Sequence, residues 1–198
     1  MSLPPSPPPP PPAVNDAHKP LPVIKPPSVA TTSSANAFMV ELFIYNGAPF
    51  KDHWAYWVGS HNYAHLGVLI QAVGDVKEGF RLEFERSHDL SNTVNRPTKR
   101  IPLQWVDNQY FDEKLMLNDG KYKLDNTPVC IFEASVFKVR APEKTLNTVD
   151  DKVVAAKSVG KKITQRNCQS WIVESADQLV KDHIFSAEVA AYLHAIEQ

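Results

Sequence analysis

Two histidines and one cysteine carry the strongest chemical signal in this sequence of 198 residues. His53 opens an aromatic segment, and His65 follows it twelve residues later. Cys168 directly follows Asn167 at the start of a segment with helical periodicity. The partial positive charge and unpaired N–H groups of a helix N-terminus favour a thiolate. With an imidazole as general base and a third group to orient it, such a cysteine performs nucleophilic acyl transfer.

The elements that must position these residues are strands first and helices last. Apolar and aromatic runs predict strands at residues 38–45, 53–58, 66–73, 80–86, 101–106 and 129–139. Residues 92–99 are predicted to form a loop, and residues 108–117 one or two helical turns. Helices are predicted at residues 150–157, 167–181 and 186–196. This order indicates an α+β fold with an antiparallel sheet.

Composition limits the classes of protein and partner. Twelve of the 17 prolines fall within the first 27 residues, so residues 1–36 are predicted to be a disordered Pro-rich tail and residues 37–198 a single domain. The tail is either an inert extension or a ligand for an SH3 or WW domain. The net charge of −1 gives no global basic field. Without a signal peptide or a membrane-length apolar run, we expect a cytoplasmic protein with no membrane partner.

The sequence leaves the roles of several further residues open. His61 is the rival of His65 for orienting His53, because both precede the same strand. Asn167 either caps the helix or helps to stabilise an oxyanion, and Gln165 is a second candidate oxyanion donor. Cys130 lies in an apolar run and is predicted to be a core residue.

A metal site is the weaker chemical alternative. His53, His61, His65 and Cys168 could together bind zinc, but only the pair His61–His65 has a spacing typical of structural zinc sites. No phosphate-binding glycine loop and no serine-hydrolase elbow is present in the sequence. We therefore predict neither a metal nor a cofactor.

Three segments resemble the lecithin:retinol acyltransferase group of the circularly permuted NlpC/P60 papain-like superfamily. They are residues 53–59 (HWAYWVG), residues 65–67 (HLG) and residues 167–169 (NCQ). The resemblance implies a papain-like catalytic domain in which Cys168 is the nucleophile, His53 the general base and His65 the residue that orients it.

Longer phrases, such as ELFIYNGAPFKDHWAYW and RNCQSWIVESADQLV, resemble fungal arginine-containing cyclodipeptide synthases. That resemblance implies an aminoacyltransferase of secondary metabolism that takes activated amino acids from aminoacyl-tRNA. Lys161, Lys162 and Arg166, just before Cys168, either form a solvated face or, in such an enzyme, contact the tRNA backbone. A carboxylate would hold the arginyl guanidinium, with four unranked candidates: Asp107, Asp112, Glu113 and Glu133. The alternatives are a thiol hydrolase (peptidase or amidase) of the same fold and a catalytically inactive binding module.

Overall fold

The structure, a computed structural model, describes residues 24–31, 36–144 and 165–198. Six strands form one antiparallel sheet in the order β5-β1-β2-β3-β4-β6. They are β1 (Ala37–Tyr45), β2 (His53–Gly59), β3 (Leu66–Asp75), β4 (Gly79–Asp89), β5 (Lys99–Asp107) and β6 (Lys123–Asp125). The described α-helices are α1 (Glu113–Met116), α2 (Ile131–Phe137), α3 (Cys168–Lys181) and α4 (Ala187–Ile196). The predicted α+β class, with an antiparallel sheet and C-terminal helices, is confirmed.

The strands bury side chains on both faces of the sheet, because successive residues point to opposite sides. On the first face, apolar side chains pack against α2, α3 and α4 and form the main core, which includes Leu42, Tyr56, Ile70, Phe132, Ile172 and Leu193. On the second face lies a smaller cluster of Phe43, Tyr45, Ala55, Trp57 and Leu69. The aromatic strand β2 therefore contributes to both.

The connection from β4 to β5 helps to bury the second face. β4 lies beside β3 and β5 lies beside β1, so residues 90–98 must pass β3, β2 and β1. Leu90, at the start of this connection, packs against the second-face cluster. At its end, Thr98 N–H donates to the carbonyl oxygen of Ile44 at 2.7 Å. The predicted loop is confirmed, and Leu90 just before it packs on the face that α2, α3 and α4 leave open.

Two elements differ from the sequence predictions. Residues 129–139 were expected to form a strand, but they contain the helix α2 with Cys130 at its N-cap. Phe132 and Val136, four residues apart, are buried on its inner side, so helical packing against the core overrides the β propensity of this run. The short strand β6 was not predicted because its residues are polar and mostly exposed. The helix predicted at residues 150–157 lies outside the described residues. No helix within the described ranges has the length and hydropathy needed to span a bilayer.

Gly67 leaves room for the indole of Trp57, which lies against it on the neighbouring strand. A Cβ atom at position 67 would lie 2.5 Å from Cζ2 of the indole and 2.5 Å from the carbonyl oxygen of Val58. Trp57 is itself 2% exposed, so the ring has little room to move. We expect Gly67→Ala to lower the free energy of unfolding by about 1–3 kcal/mol, as overpacking of a core does. Urea denaturation followed by tryptophan fluorescence measures this change.

Gly59 is the matched control, because it pairs directly with Gly67 across the two strands. A Cβ atom there would meet only Nε1 of Trp57, at 3.3 Å. The change in unfolding free energy for Gly59→Ala is therefore expected to be the smaller of the two. Equal effects for both variants would contradict the steric explanation.

Candidate functional site

A capping box makes Cys168 the first residue of α3. The side chain of Asn167 accepts hydrogen bonds from the backbone N–H groups of Gln169 at 2.8 Å and Ser170 at 3.2 Å. In return, the hydroxyl of Ser170 accepts from the backbone N–H of Asn167 at 2.7 Å. This reciprocal arrangement satisfies N–H groups that the helix itself cannot. The predicted capping role of Asn167 is confirmed, and the thiol lies at a helix N-terminus.

Gln169 fixes the start of α3 against the start of β2. Its side-chain amide is fully buried and donates to the carbonyl oxygen of Asp52 at 2.7 Å. The thiol of Cys168 lies 3.9 Å from the same carbonyl oxygen. Gln198 packs against this junction, and its side-chain oxygen lies 3.1 Å from the side-chain nitrogen of Gln169. Because His53 directly follows Asp52, these contacts place the thiol beside the imidazole.

The thiol of Cys168 and the imidazole of His53 shift each other's pKa. Burial disfavours the thiolate, but the hydrogen bond and charge of His53 outweigh it, together with the N–H groups of Trp54 and Gln169. The pKa of Cys168 is therefore below its ordinary value. Burial also disfavours the imidazolium, but Cys168, Gln71 and Glu85 outweigh it and raise the pKa of His53. Both shifts favour the thiolate–imidazolium pair.

Gln71 is the third member of the site, and sequence reasoning missed it. Its side-chain oxygen lies 2.7 Å from Nε2 of His53. The strand register places Gln71 opposite Ala55, two residues along β2 from His53. The amide is buried, with 6% of the residue exposed. The available signal was its chemical type, because Gln71 is the one polar side chain in the run LGVLIQAV.

The hydrogen bonds continue from Gln71 along the second face of the sheet. The side-chain nitrogen of Gln71 donates to Oε1 of Glu85 at 2.7 Å. The other carboxylate oxygen of Glu85 lies 2.8 Å from Nδ1 of His88. A bulge brings these last two residues to one face, because Ser87 has a left-handed backbone (φ 48°) and β4 gains a residue relative to β3. Polar side chains thus follow one another from Cys168 to His88.

His65 does not fit the role that the resemblance implied. It immediately precedes β3, and the register pairs Gly67 with Gly59 at the far end of β2 from His53. Six residues of extended strand span about 20 Å. The physical reason is that antiparallel neighbours place the start of one strand beside the end of the other. His61 is at that far end too: its ring stacks on Phe38 at 3.9 Å and lies 3.6 Å from Glu113.

The remaining sequence candidates divide into two groups. Lys161 and Lys162 lie outside the described residues. Arg166 is described, and its guanidinium pairs with Glu174 and donates to the carbonyl oxygen of Arg140 at 3.1 Å. It therefore already has partners within the chain. Cys130 is half-buried at the N-cap of α2 rather than in a core strand, and burial raises the pKa of its thiol to about 12.

The four carboxylates considered for a guanidinium substrate have partners of their own. Asp107 and Asp112 accept hydrogen bonds from backbone N–H groups at the starts of helical turns. Glu113 accepts from the hydroxyl of Ser60 at 2.6 Å. Glu133 does hold a guanidinium, but it is that of Arg86, at 3.0 and 3.1 Å. These contacts do not place any of the four beside Cys168.

The described residues do not support the zinc alternative. His53 and Cys168 lie at one end of β2, whereas His61 and His65 lie at the other. Among the residues that the structure describes, no group of three or more histidine, cysteine or acidic side chains could hold a metal ion.

A sequence family accounts for most of the chain. The pattern of the family of unknown function DUF6540 matches residues 40–186. The chain belongs to this family. No curated protein and no solved structure matches the chain. The segment matched to DUF6540 includes His53, Gln71 and Cys168, so the whole cluster lies within the family region.

Proposed function

We propose that this protein is a cysteine-dependent acyltransferase that forms a thioester on Cys168. The observation that carries the proposal is the junction of α3 and β2, where the thiol of Cys168 lies 3.9 Å from the carbonyl oxygen of Asp52 and is hydrogen-bonded to the adjacent His53. A thiol with a lowered pKa beside an imidazole is the arrangement of an activated nucleophile. As the first residue of α3, Cys168 also has a backbone N–H without an acceptor inside the helix, available to an oxyanion.

The chemistry follows from these groups. The thiolate attacks an acyl ester carbon and forms a tetrahedral oxyanion. Collapse breaks the bond to the alcohol oxygen, and the His53 imidazolium gives its proton to that oxygen. An amine then attacks the thioester carbon, His53 takes a proton from the amine, and the carbon–sulfur bond breaks to regenerate the thiolate. Gln71 holds His53 throughout by its 2.7 Å contact with Nε2.

The proposed fold is the permuted papain-like fold, as in the lecithin:retinol acyltransferase group. It is supported by a nucleophile at a helix N-terminus that faces a histidine on an antiparallel strand, with a third polar residue on the next strand. The third residue is Gln71 on β3 rather than His65.

The specific version that we propose is an aminoacyl-tRNA-dependent synthase of arginine-containing cyclic dipeptides. An aminoacyl-tRNA is an ester, which is the substrate class that the pair can open. The first aminoacyl group would pass from its tRNA ester to Cys168, and the amine of a second aminoacyl-tRNA would attack that thioester to give a dipeptidyl-tRNA and the free thiolate. The terminal amine of the dipeptide would then attack its own ester carbon, and this ring closure would release the diketopiperazine and the second tRNA. The sequence resemblance supports this version, with Lys161 and Lys162 as proposed contacts of the tRNA backbone.

Mass spectrometry of the protein and of small products tests the proposal after expression in a host that supplies all aminoacyl-tRNAs. We expect the unmodified chain and Cys130→Ala to yield a new diketopiperazine and an acyl adduct on Cys168. Cys168→Ala is expected to yield neither, because the thioester cannot form. The same product from Cys168→Ala would contradict covalent catalysis.

The substrate class has its own control. Treating the lysate with RNase before the reaction should remove product formation if the acyl donor is aminoacyl-tRNA. Product that persists after RNase treatment would rule out the tRNA version. An adduct that water alone resolves, with no cyclic product, would instead indicate the thiol hydrolase.

A further inference from the structure

We infer that Glu85 is a positioning residue that sets which ring nitrogen of His53 carries the proton. It acts through the amide of Gln71, which lies between the two side chains. The inference rests on the proposed function, because it concerns the same reactive pair of Cys168 and His53. It goes beyond that function because it gives a role to a carboxylate that does not contact the thiol of Cys168.

The carboxylate decides how the amide of Gln71 is turned. A carboxylate only accepts hydrogen bonds, so the atom of Gln71 at 2.7 Å from Glu85 Oε1 must be the NH₂ group. The amide oxygen then faces His53. In a free glutamine the two orientations are nearly equivalent, and here the charged acceptor on β4 removes that equivalence.

The orientation of Gln71 in turn decides the tautomer of His53. An amide oxygen only accepts, so Nε2 of the imidazole must donate a proton across the 2.7 Å contact. In the neutral ring, the lone pair is then on Nδ1, the nitrogen that remains for the thiol of Cys168. Only that tautomer can take the proton of Cys168 and become the imidazolium of the reactive pair.

Two features keep the arrangement fixed. Gln71 is 6% exposed, so water competes little for its amide. Nδ1 of His88 occupies the second carboxylate oxygen of Glu85 at 2.8 Å, which holds the carboxylate in place from the other side. The bulge at Ser87 is what brings His88 to this face.

The test is the pH profile of Cys168 alkylation by iodoacetamide, followed by mass spectrometry of the full chain. In this reaction the thiolate sulfur bonds to the CH₂ carbon and iodide leaves, so the rate follows the thiolate fraction. In Glu85→Gln the new amide can donate or accept, so either orientation of the Gln71 amide is possible. The tautomer of His53 with its proton on Nε2 is then no longer favoured. We expect the rate at pH 6.5–7 to fall about tenfold, because the pKa of the thiol rises and less thiolate is present at that pH. The rates should converge at high pH.

Glu83→Gln is the matched control. Glu83 is the direct cross-strand partner of Gln71, yet its carboxylate pairs with Arg81 at 3.3 Å. Its alkylation profile should coincide with that of the unmodified chain. A second variant, Gln71→Glu/Glu85→Gln, exchanges the two groups. The carboxylate at position 71 accepts from His53 Nε2–H and from the amide at position 85, so alkylation at low pH should be restored.

Three results would overturn the inference: an unchanged profile for Glu85→Gln, an equal shift for Glu83→Gln, or no restoration in the exchanged variant. If Glu85→Gln does not fold, Glu85→Ala is measured instead, because it also removes the acceptor that orients the amide of Gln71, and the same fall in rate is expected. A different outcome is that Cys168 of the unmodified chain is alkylated with the pH dependence of an ordinary thiol. That result contradicts the proposed function itself.

Discussion

Glu133→Ala is expected to lower the free energy of unfolding by about 3–5 kcal/mol, the cost typical of removing one partner from a buried ion pair. Glu133 is fully buried, and Arg86 is 1% exposed. The two form a bidentate pair at 3.0 and 3.1 Å, which ties α2 to β4. Without Glu133, the guanidinium keeps the contact with Asp125 at 2.9 Å but loses its fully buried counter-charge.

Urea denaturation measures this loss, and Asp177→Ala is the matched control. Asp177 pairs with His194 at 3.0 Å, and the two side chains are 54% and 52% exposed. Exposed pairs contribute roughly 0–1 kcal/mol, so the control should remain close to the unmodified chain. A loss below about 1 kcal/mol for Glu133→Ala would contradict the importance assigned to the buried pair.

The same network of charged side chains predicts how the stability of the fold changes with pH. Burial opposes ionisation of Asp125, but Arg86 and Lys123 outweigh it and hold the pKa of the carboxyl at about 2. A carboxyl with a depressed pKa stabilises the fold fully above its unfolded value, about 3.9. Its contribution is lost as the pH falls towards 2, so acid should loosen the contact between β6 and Arg86.

Of the two histidine substitutions compared next, His53→Asn is expected to have the larger effect on activity. Loss of a general base typically lowers turnover about 10²- to 10⁴-fold. The thiol of Cys168 would also lose the partner that lowers its pKa, while the burial that raises it would remain. Product yield by mass spectrometry and the alkylation rate of Cys168 at pH 7 should therefore fall together.

His65→Asn is the control for this substitution, because it changes the same side-chain type at the opposite end of β2. Its product yield and alkylation rate should match those of the unmodified chain. If His65→Asn lowered both as far as His53→Asn, the role that the family resemblance gave to His65 would be correct. The site built around Gln71 would then be wrong.

Sequence patterns predicted the elements in which the spacing of buried apolar residues is typical of one kind of secondary structure. Alternation and aromatic content located β1 to β5, and the apolar stripe of residues 167–181 located α3. Residues 129–139 were assigned incorrectly because apolar, β-branched residues suit a buried helix and a buried strand equally well. Tertiary packing of Phe132 and Val136 decides between them, and a single sequence does not contain that information.

The site could be predicted only in part for a similar reason. A helix cap and a residue type identify Cys168, and the start of a strand identifies His53. The third residue depends on strand register, which brings Gln71 to His53 and leaves His65 at the other end. Spacing along the chain does not determine register. A lone polar residue in an otherwise apolar strand was the better guide, and Gln71 fits that description.

The most direct test of the central claim compares the two cysteines of the unmodified chain under iodoacetamide across pH, by mass spectrometry of each site. Cys168 is 8% exposed, whereas Cys130 is half-buried, so accessibility alone favours Cys130. The electrostatics favour Cys168, whose pKa is lowered, over Cys130, whose pKa is about 12. We predict that Cys168 is alkylated first at neutral pH and stays reactive below the ordinary thiol range. Faster reaction at Cys130, or a Cys168 rate that rises only at about pH 8.5, would contradict an activated nucleophile.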